Sequence, residues 1–219
     1  MISIKKIEKL TKITRYGYPF IGFFFLVFFI FFLAGISFIS LPMFFLTVFS
    51  LWFFRDPERQ IPQEEDLLIS PADGKVIGIE NLEANNYDGK PCIKVSIFMS
   101  VFNVHVNRIP FSGKIAKIKY FPGKFFNAAL DKASLDNERN AILIETDKGF
   151  SFWTVQIAGL IARRIVCPLE EGEQVLKGNR YGMIRFGSRL ELYLPLTSEI
   201  LVKKGEMVKA GSSVVCRIK

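Results

Sequence analysis

Between Arg15 and Arg55 the chain reads YGYPFIGFFFLVFFIFFLAGISFISLPMFFLTVFSLWFF, residues 16–54, without one charged side chain. This run of 39 residues decides how the rest must be read. As one helix it would extend about 58 Å, nearly twice the roughly 30 Å of bilayer hydrocarbon. A natural break lies at Ala34-Gly35-Ile36-Ser37, with Ser40 and Pro42 following. The run therefore predicts two short spans, residues 18–34 and 41–54, joined by a tight uncharged turn. Each is at or below the usual spanning length, so a re-entrant hairpin is a variant of the same reading. A cleaved signal peptide fits poorly, because the run is too long and lacks a small-x-small cleavage site near its end. A buried soluble helix fits no better, since 14 of the 23 Phe lie between Phe20 and Phe54 and leave no polar face.

The flanks set the orientation. Lys5, Lys6, Lys9, Lys12 and Arg15 precede the run, opposed only by Glu8, and Arg55 and Arg59 follow it. Basic residues at both ends suit a hairpin with both ends in the cytoplasm. Residues 1–16 then form a basic N-terminal segment, 17–54 a membrane hairpin and 55–219 the main domain, placed on the cytoplasmic face of the inner membrane. The net charge of +8 suits an anionic lipid surface. Nucleic acid is a weaker partner, as no basic helix or aromatic-basic motif occurs.

The remaining residues exclude other classes. Half of the 219 residues are hydrophobic and 23% are charged, with mean hydropathy +0.27, which excludes disorder. Three widely spaced cysteines, Cys92, Cys167 and Cys216, make no disulfide framework. One histidine and no CxxC argue against a metal site. Short segments rich in Ile, Val, Phe and Tyr recur at 67–70, 75–79, 93–99, 115–120, 141–145, 151–156, 183–186, 190–194 and 213–218, bounded by Gly, Pro, Asn and Asp. The best helical candidate is 125–133. Repeated short strands without βαβ alternation predict a mainly β fold, a barrel- or sandwich-like domain behind the helical hairpin. Near the end, residues 202–211 carry a Gly-x-x-Val-x-x-Gly rhythm that fits either a lipoyl-type sandwich turn or an ordinary hairpin.

Few residues stand out for chemistry. His105 is the only histidine, and strand alternation puts it on one face of a strand end. A lone histidine is more often structural than catalytic. Asp73 sits in an Asp-Gly turn, where turn chemistry explains it. Gly187-Ser188 is a loop-forming pair between two apolar strands. No GxSxG, P-loop or GxGxxG occurs.

Taken in order, six stretches carry a resemblance: Phe54-Arg55-Asp56-Pro57-Glu58-Arg59, Ser70-Pro71-Ala72-Asp73-Gly74, Asn103-Val104-His105-Val106-Asn107-Arg108, Pro122-Gly123-Lys124-Phe125, Gln156-Ile157-Ala158-Gly159 and Arg185-Phe186-Gly187-Ser188-Arg189. Together they resemble the phosphatidylserine decarboxylase family in its short form. The resemblance implies self-cleavage between Gly187 and Ser188, with Ser188 converted into a covalent pyruvoyl cofactor. Decarboxylating an amino acid needs an electron sink that no ordinary side chain supplies, and the pyruvoyl ketone, condensed with the substrate amine, provides one. By the same resemblance Asp73, His105 and Ser188 form a triad-like relay that activates the serine. Longer members carry His-x-x-His, whereas here His105 is followed by Arg108, so one histidine is expected to serve both cleavage and protonation. Arg108 is a candidate for the substrate carboxylate or phosphate. Lys124 and Arg189 are further candidates, each with a solvated surface charge as the competing reading.

The implied partners are a membrane phospholipid and the two cleavage products, 1–187 and 188–219, held as a heterodimer; a homo-oligomer stays open. No metal is expected. Two alternatives remain at this point. One is a decarboxylase of an ether-linked phosphoserine lipid, archaetidylserine. The other is a non-enzymatic, membrane-anchored lipoyl-like binding module.

Overall fold

A computed structural model describes residues 12–123, 136–159, 164–185 and 188–218. The helical candidate at 125–133 lies outside them. The chain forms two compact units, Met1–Glu58 and Arg59–Lys219.

In the first unit a single 3-10 turn, Arg15–Gly17, leads into α1 (Tyr18–Leu33), and α2 (Ser37–Phe53) returns. Gly35, at φ +72°, makes the turn between them at the predicted break. The second helix starts four residues earlier than the sequence suggests. Pro42 does not open it but sits inside it, in the second turn. Its burial pattern is inverted relative to a water-soluble helix. Ser40, Thr47 and Ser50 are buried, while Phe38 is 90% exposed. Thr47 and Ser50 return their hydroxyls to the carbonyls of Met43 and Leu46 at 2.8 and 2.7 Å. Small hydroxyl residues buried while most of the Phe stay exposed, Phe53 excepted, is the pattern of helices packed in lipid. Arg15–Leu33 is long and apolar enough to cross a membrane. The two ends of the hairpin meet: Ile13 bridges Arg55, and the Thr14 N–H donates to the Phe54 carbonyl at 2.9 Å.

The second unit is mainly β, as expected. Its strands are β1 (Leu67–Ile69), β2 (Gly74–Leu82), β3 (Cys92–Met99), β4 (Val106–Arg108), β5 (Gly113–Phe121), β6 (Arg139–Glu145) and β7 (Ser151–Ala158). There follow β8 (Ile165–Val166), β9 (Gln174–Val175), β10 (Arg180–Ile184), β11 (Ser188–Leu194), β12 (Glu199–Ile200), β13 (Met207–Val208) and β14 (Val214–Arg217). Each segment predicted as a strand contains one among the described residues. The unforeseen strands are two- or three-residue pieces, too short to show alternation.

An eight-stranded antiparallel sheet runs β13-β2-β3-β11-β7-β6-β5-β9, with two three-stranded sheets, β1-β14-β12 and β4-β10-β8, beside it. The residues of 207–208 do not form a local hairpin; β13 pairs with β2, far away in sequence. At the centre, β11 is buried along its whole length. Leu190, Leu192 and Leu194 join the main core, with Val95, Ile97, Ile142 and Phe152. The other face of the sheet carries a second cluster, Tyr87, Trp153, Val155, Ile157 and Tyr193. The cysteines are free. Burial pushes the Cys216 thiol up to about 12, so it stays an unreactive thiol near neutral pH.

Candidate active site

Strand register brings the sequence motifs to one end of the large sheet. One row across it runs Met207, Lys75, Phe98, Arg189, Ile157, Arg139 and Phe121. One residue further along stands Ser188, paired with Met99 on one side and Ala158 on the other. Gly74 begins β2 at this same end, so Asp73 lies just outside it. The Asn103–His105 segment leaves the end of β3 here, and Pro122-Gly123 follows the end of β5. A Cβ on Gly123 would collide with the backbone of Asn137 and Glu138, which is why that turn takes glycine. Gly187 and Lys124 lie outside the described residues.

Ser188, His105, Asp73 and Arg108 are all buried. The Ser188 hydroxyl donates to the Met99 sulfur at 3.3 Å, a weak acceptor. The same sulfur receives the Asn107 amide at 3.8 Å, and Asn107 Oδ1 accepts from Gln156 Nε2 at 2.9 Å. Ser188 is thus the end of a buried polar line that the sequence reading did not pick out. Asn107 and Gln156 do lie within the quoted motifs, and Asn107 shares a face with His105 by alternation.

His105 Nδ1 lies 3.0 Å from the Asn103 carbonyl. An N–H there leaves the lone pair on Nε2. Asn103 is itself fixed, because its Oδ1 accepts from the Ser100 N–H and hydroxyl, both at 2.9 Å. The Asp73 carboxylate accepts from Arg59 Nη2 and from the Ala210 N–H, each at 2.8 Å. The Arg108 N–H donates to the Pro71 carbonyl at 2.9 Å, tying the histidine segment to the Asp73 turn. Arg108 Nη1 donates to the Gly178 carbonyl at 3.0 Å, so this buried guanidinium braces a turn.

Arg189 is not a solvated surface charge. It is 1% exposed and forms a 2.8 Å ion pair with Glu191, which is 0% exposed. Ser96 and Tyr193 complete the cluster: Arg189 Nη2 donates to Ser96 Oγ at 2.8 Å, and the Tyr193 hydroxyl donates to Glu191 at 2.7 Å. Burial, with the Glu191 charge beside it, pushes the Tyr193 phenol up, so it remains a donor. Glu191→Gln leaves the arginine charge unpaired in the interior and is expected to cost about 3–5 kcal/mol. Thermal unfolding of the purified variant checks this; an unchanged midpoint would contradict it.

Comparison with known proteins places the sequence in a family. The sequence profile of the family described as phosphatidylserine decarboxylase matches residues 46–216. A phosphatidylserine decarboxylase proenzyme of Syntrophus aciditrophicus is 56% identical over 202 residues, 92% of this chain and 95% of the relative. Proteins of the same name are 46% identical over 214 residues in Magnetococcus marinus, 97% of this chain and 98% of the relative, and 47% over 206 residues in Ralstonia nicotianae, 94% and 95%.

Proposed function

The chain belongs to the phosphatidylserine decarboxylase family, and from that premise we propose that it decarboxylates phosphatidylserine to phosphatidylethanolamine after cutting itself between Gly187 and Ser188. What supports the reading is the strand register that gathers Asp73, the His105 segment and Ser188 at one sheet end. The hydroxyl of Ser188 attacks the Gly187 carbonyl carbon. The C–N bond breaks, the nitrogen takes the proton, and an ester forms. Removal of the Ser188 Cα proton then expels the Gly187 carboxylate and leaves dehydroalanine at 188. Its imine tautomer takes up water and releases ammonia, giving the pyruvoyl group. That group supplies the electron sink for loss of CO₂.

In this reading His105 Nε2 takes the Ser188 proton, the Asn103 carbonyl fixes the ring through Nδ1, and Asp73 stabilises the cation. The same imidazole later delivers a proton to the substrate carbon. The fold suits a cut at this place. The new chain end heads β11, which stays clamped between β3 and β7, and β14 lies between β1 and β12. Fragments 1–187 and 188–219 therefore share two sheets and stay together as a heterodimer. Of the cations proposed for the headgroup, Arg108 and Arg189 are engaged in the interior, which leaves Lys124 as the first to test.

The hairpin 17–54 anchors the catalytic domain 55–219 to the cytoplasmic face of the inner membrane in this proposal. A diacyl lipid does not leave the bilayer readily, since burial contributes about 0.8 kcal/mol per CH₂. Incubation with phosphatidylserine vesicles and cyanoborohydride tests the chemistry. Lipid mass should appear on the fragment beginning at 188. Lipid turnover with no such adduct and no loss of activity would contradict the reading. Parallel vesicles of the ether-linked phosphoserine lipid distinguish the substrates.

A further inference from the structure

The second unit contains an internal duplication. Pro71-Ala72-Asp73-Gly74-Lys75-Val76 is matched by Pro110-Phe111-Ser112-Gly113-Lys114-Ile115, and Gly205-Glu206-Met207-Val208-Lys209-Ala210-Gly211 by Gly172-Glu173-Gln174-Val175-Leu176-Lys177-Gly178. The sheet order is symmetric about β11-β7, with β13-β2 at one edge and β9-β5 at the other. Bonding repeats as well. The Gly205 N–H donates to Val76 and the Gly172 N–H to Ile115, both at 2.7 Å. The four turn glycines all have φ between +82° and +95°.

In both copies the residue before the strand glycine caps the turn. The Ser112 hydroxyl accepts from the Lys177 N–H at 2.9 Å, and Asp73 Oδ1 accepts from the Ala210 N–H at 2.8 Å. A neutral hydroxyl therefore suffices for the cap, and the fold alone does not explain a carboxylate at 73. Its second oxygen, Oδ2, takes Arg59 Nη2 at 2.8 Å, with both side chains largely buried. The charged copy is also the one at the Ser188 end of the strands, whereas Gly113 starts β5 at the other end.

We propose that Arg59 is a positioning residue: it locks the second oxygen of Asp73, so that a group which elsewhere in this fold only caps a turn is held as the oriented anion of the self-cleavage relay. The proposal rests on the reading of Asp73 as the partner of His105. Displacing such a group by about an ångström is expected to slow cleavage about 100-fold.

The test follows processing of the full chain in detergent, with thermal unfolding measured alongside. Asp73→Ser should fold, because serine already caps the matching turn, with a lower unfolding midpoint because the largely buried Arg59 loses its carboxylate, yet remain uncut. Arg59→Ala should be cut about 100-fold more slowly. Millimolar guanidinium should restore it, while urea, of the same shape but neutral, should not. Arg59→Lys should fall between Arg59→Ala and the parent. If Arg59→Ala does not fold, Arg59→Gln takes its place with the same two additives. Cleavage of the Arg59 variant at the parental rate, or equal rescue by urea, would overturn the role of Arg59 alone. Normal cleavage of Asp73→Ser would overturn the underlying relay.

Discussion

Ser188→Ala yields one uncut chain of 219 residues and no decarboxylation, in a protein that is otherwise folded. The two halves of that expectation have separate causes. Stability is spared because the lost hydroxyl donates to a thioether, a weak acceptor, and leaves no strong buried partner unsatisfied. A change of about 1 kcal/mol or less is expected. Function is lost completely because the same hydroxyl is both the nucleophile of the cut and the group whose elimination, as the Gly187 carboxylate, turns residue 188 into the electron sink. A denaturing gel, a thermal scan and a CO₂ release assay separate the two. A folded, uncut variant that still released CO₂ would contradict the proposed chemistry.

His105→Gln should also remain a single chain over the time in which the parent is fully cut, with cleavage slowed by about 10²–10⁴-fold. Glutamine keeps a donor in reach of the Asn103 carbonyl, so the turn after β3 is not left with a new orphan acceptor. Among the residues of the chain His105 is the only imidazole. Arg108 cannot replace it, because a guanidinium does not act as a base near neutral pH. If the two fragments form at the parental rate, another group serves self-cleavage and the single-histidine account fails. The same variant, if cut slowly to completion, then reports the second role: its decarboxylation should be impaired as well.

Much of the fold was legible because its signals are local. The break at Ala34–Ser37 is marked by Gly35, whose positive φ makes the turn. The strands announce themselves by β-branched and aromatic runs between turn residues. α2 starts before the expected residue 41 because Pro42, which follows the break in the sequence, is accommodated inside the helix. The short strands β8, β9, β12 and β13 carry too few residues to show a period, and each exists because a distant strand offers it an edge.

The site was half legible for the same reason. Asp73, His105 and Ser188 are visible as residue types within motifs, but their common sheet end depends on register, which couples positions far apart in sequence. Alternation along β11 puts Arg189 and Glu191 opposite the leucines, and that face normally meets water. Here Tyr87, Trp153 and Tyr193 cover it, so the pair is buried. The Met99 sulfur and the Asn107–Gln156 line carry no sequence mark of their own role. The second copy of the capped turn was in plain view in the sequence, but its meaning emerges only when Ser112 and Asp73 are seen accepting equivalent N–H groups.

Intact-mass measurement of the purified, active protein tests the account most directly. It should find two polypeptides, residues 1–187 ending in a free carboxylate and residues 188–219 beginning with a pyruvoyl group in place of serine. Active protein that consists of one 219-residue chain with an ordinary peptide bond between Gly187 and Ser188 would contradict it.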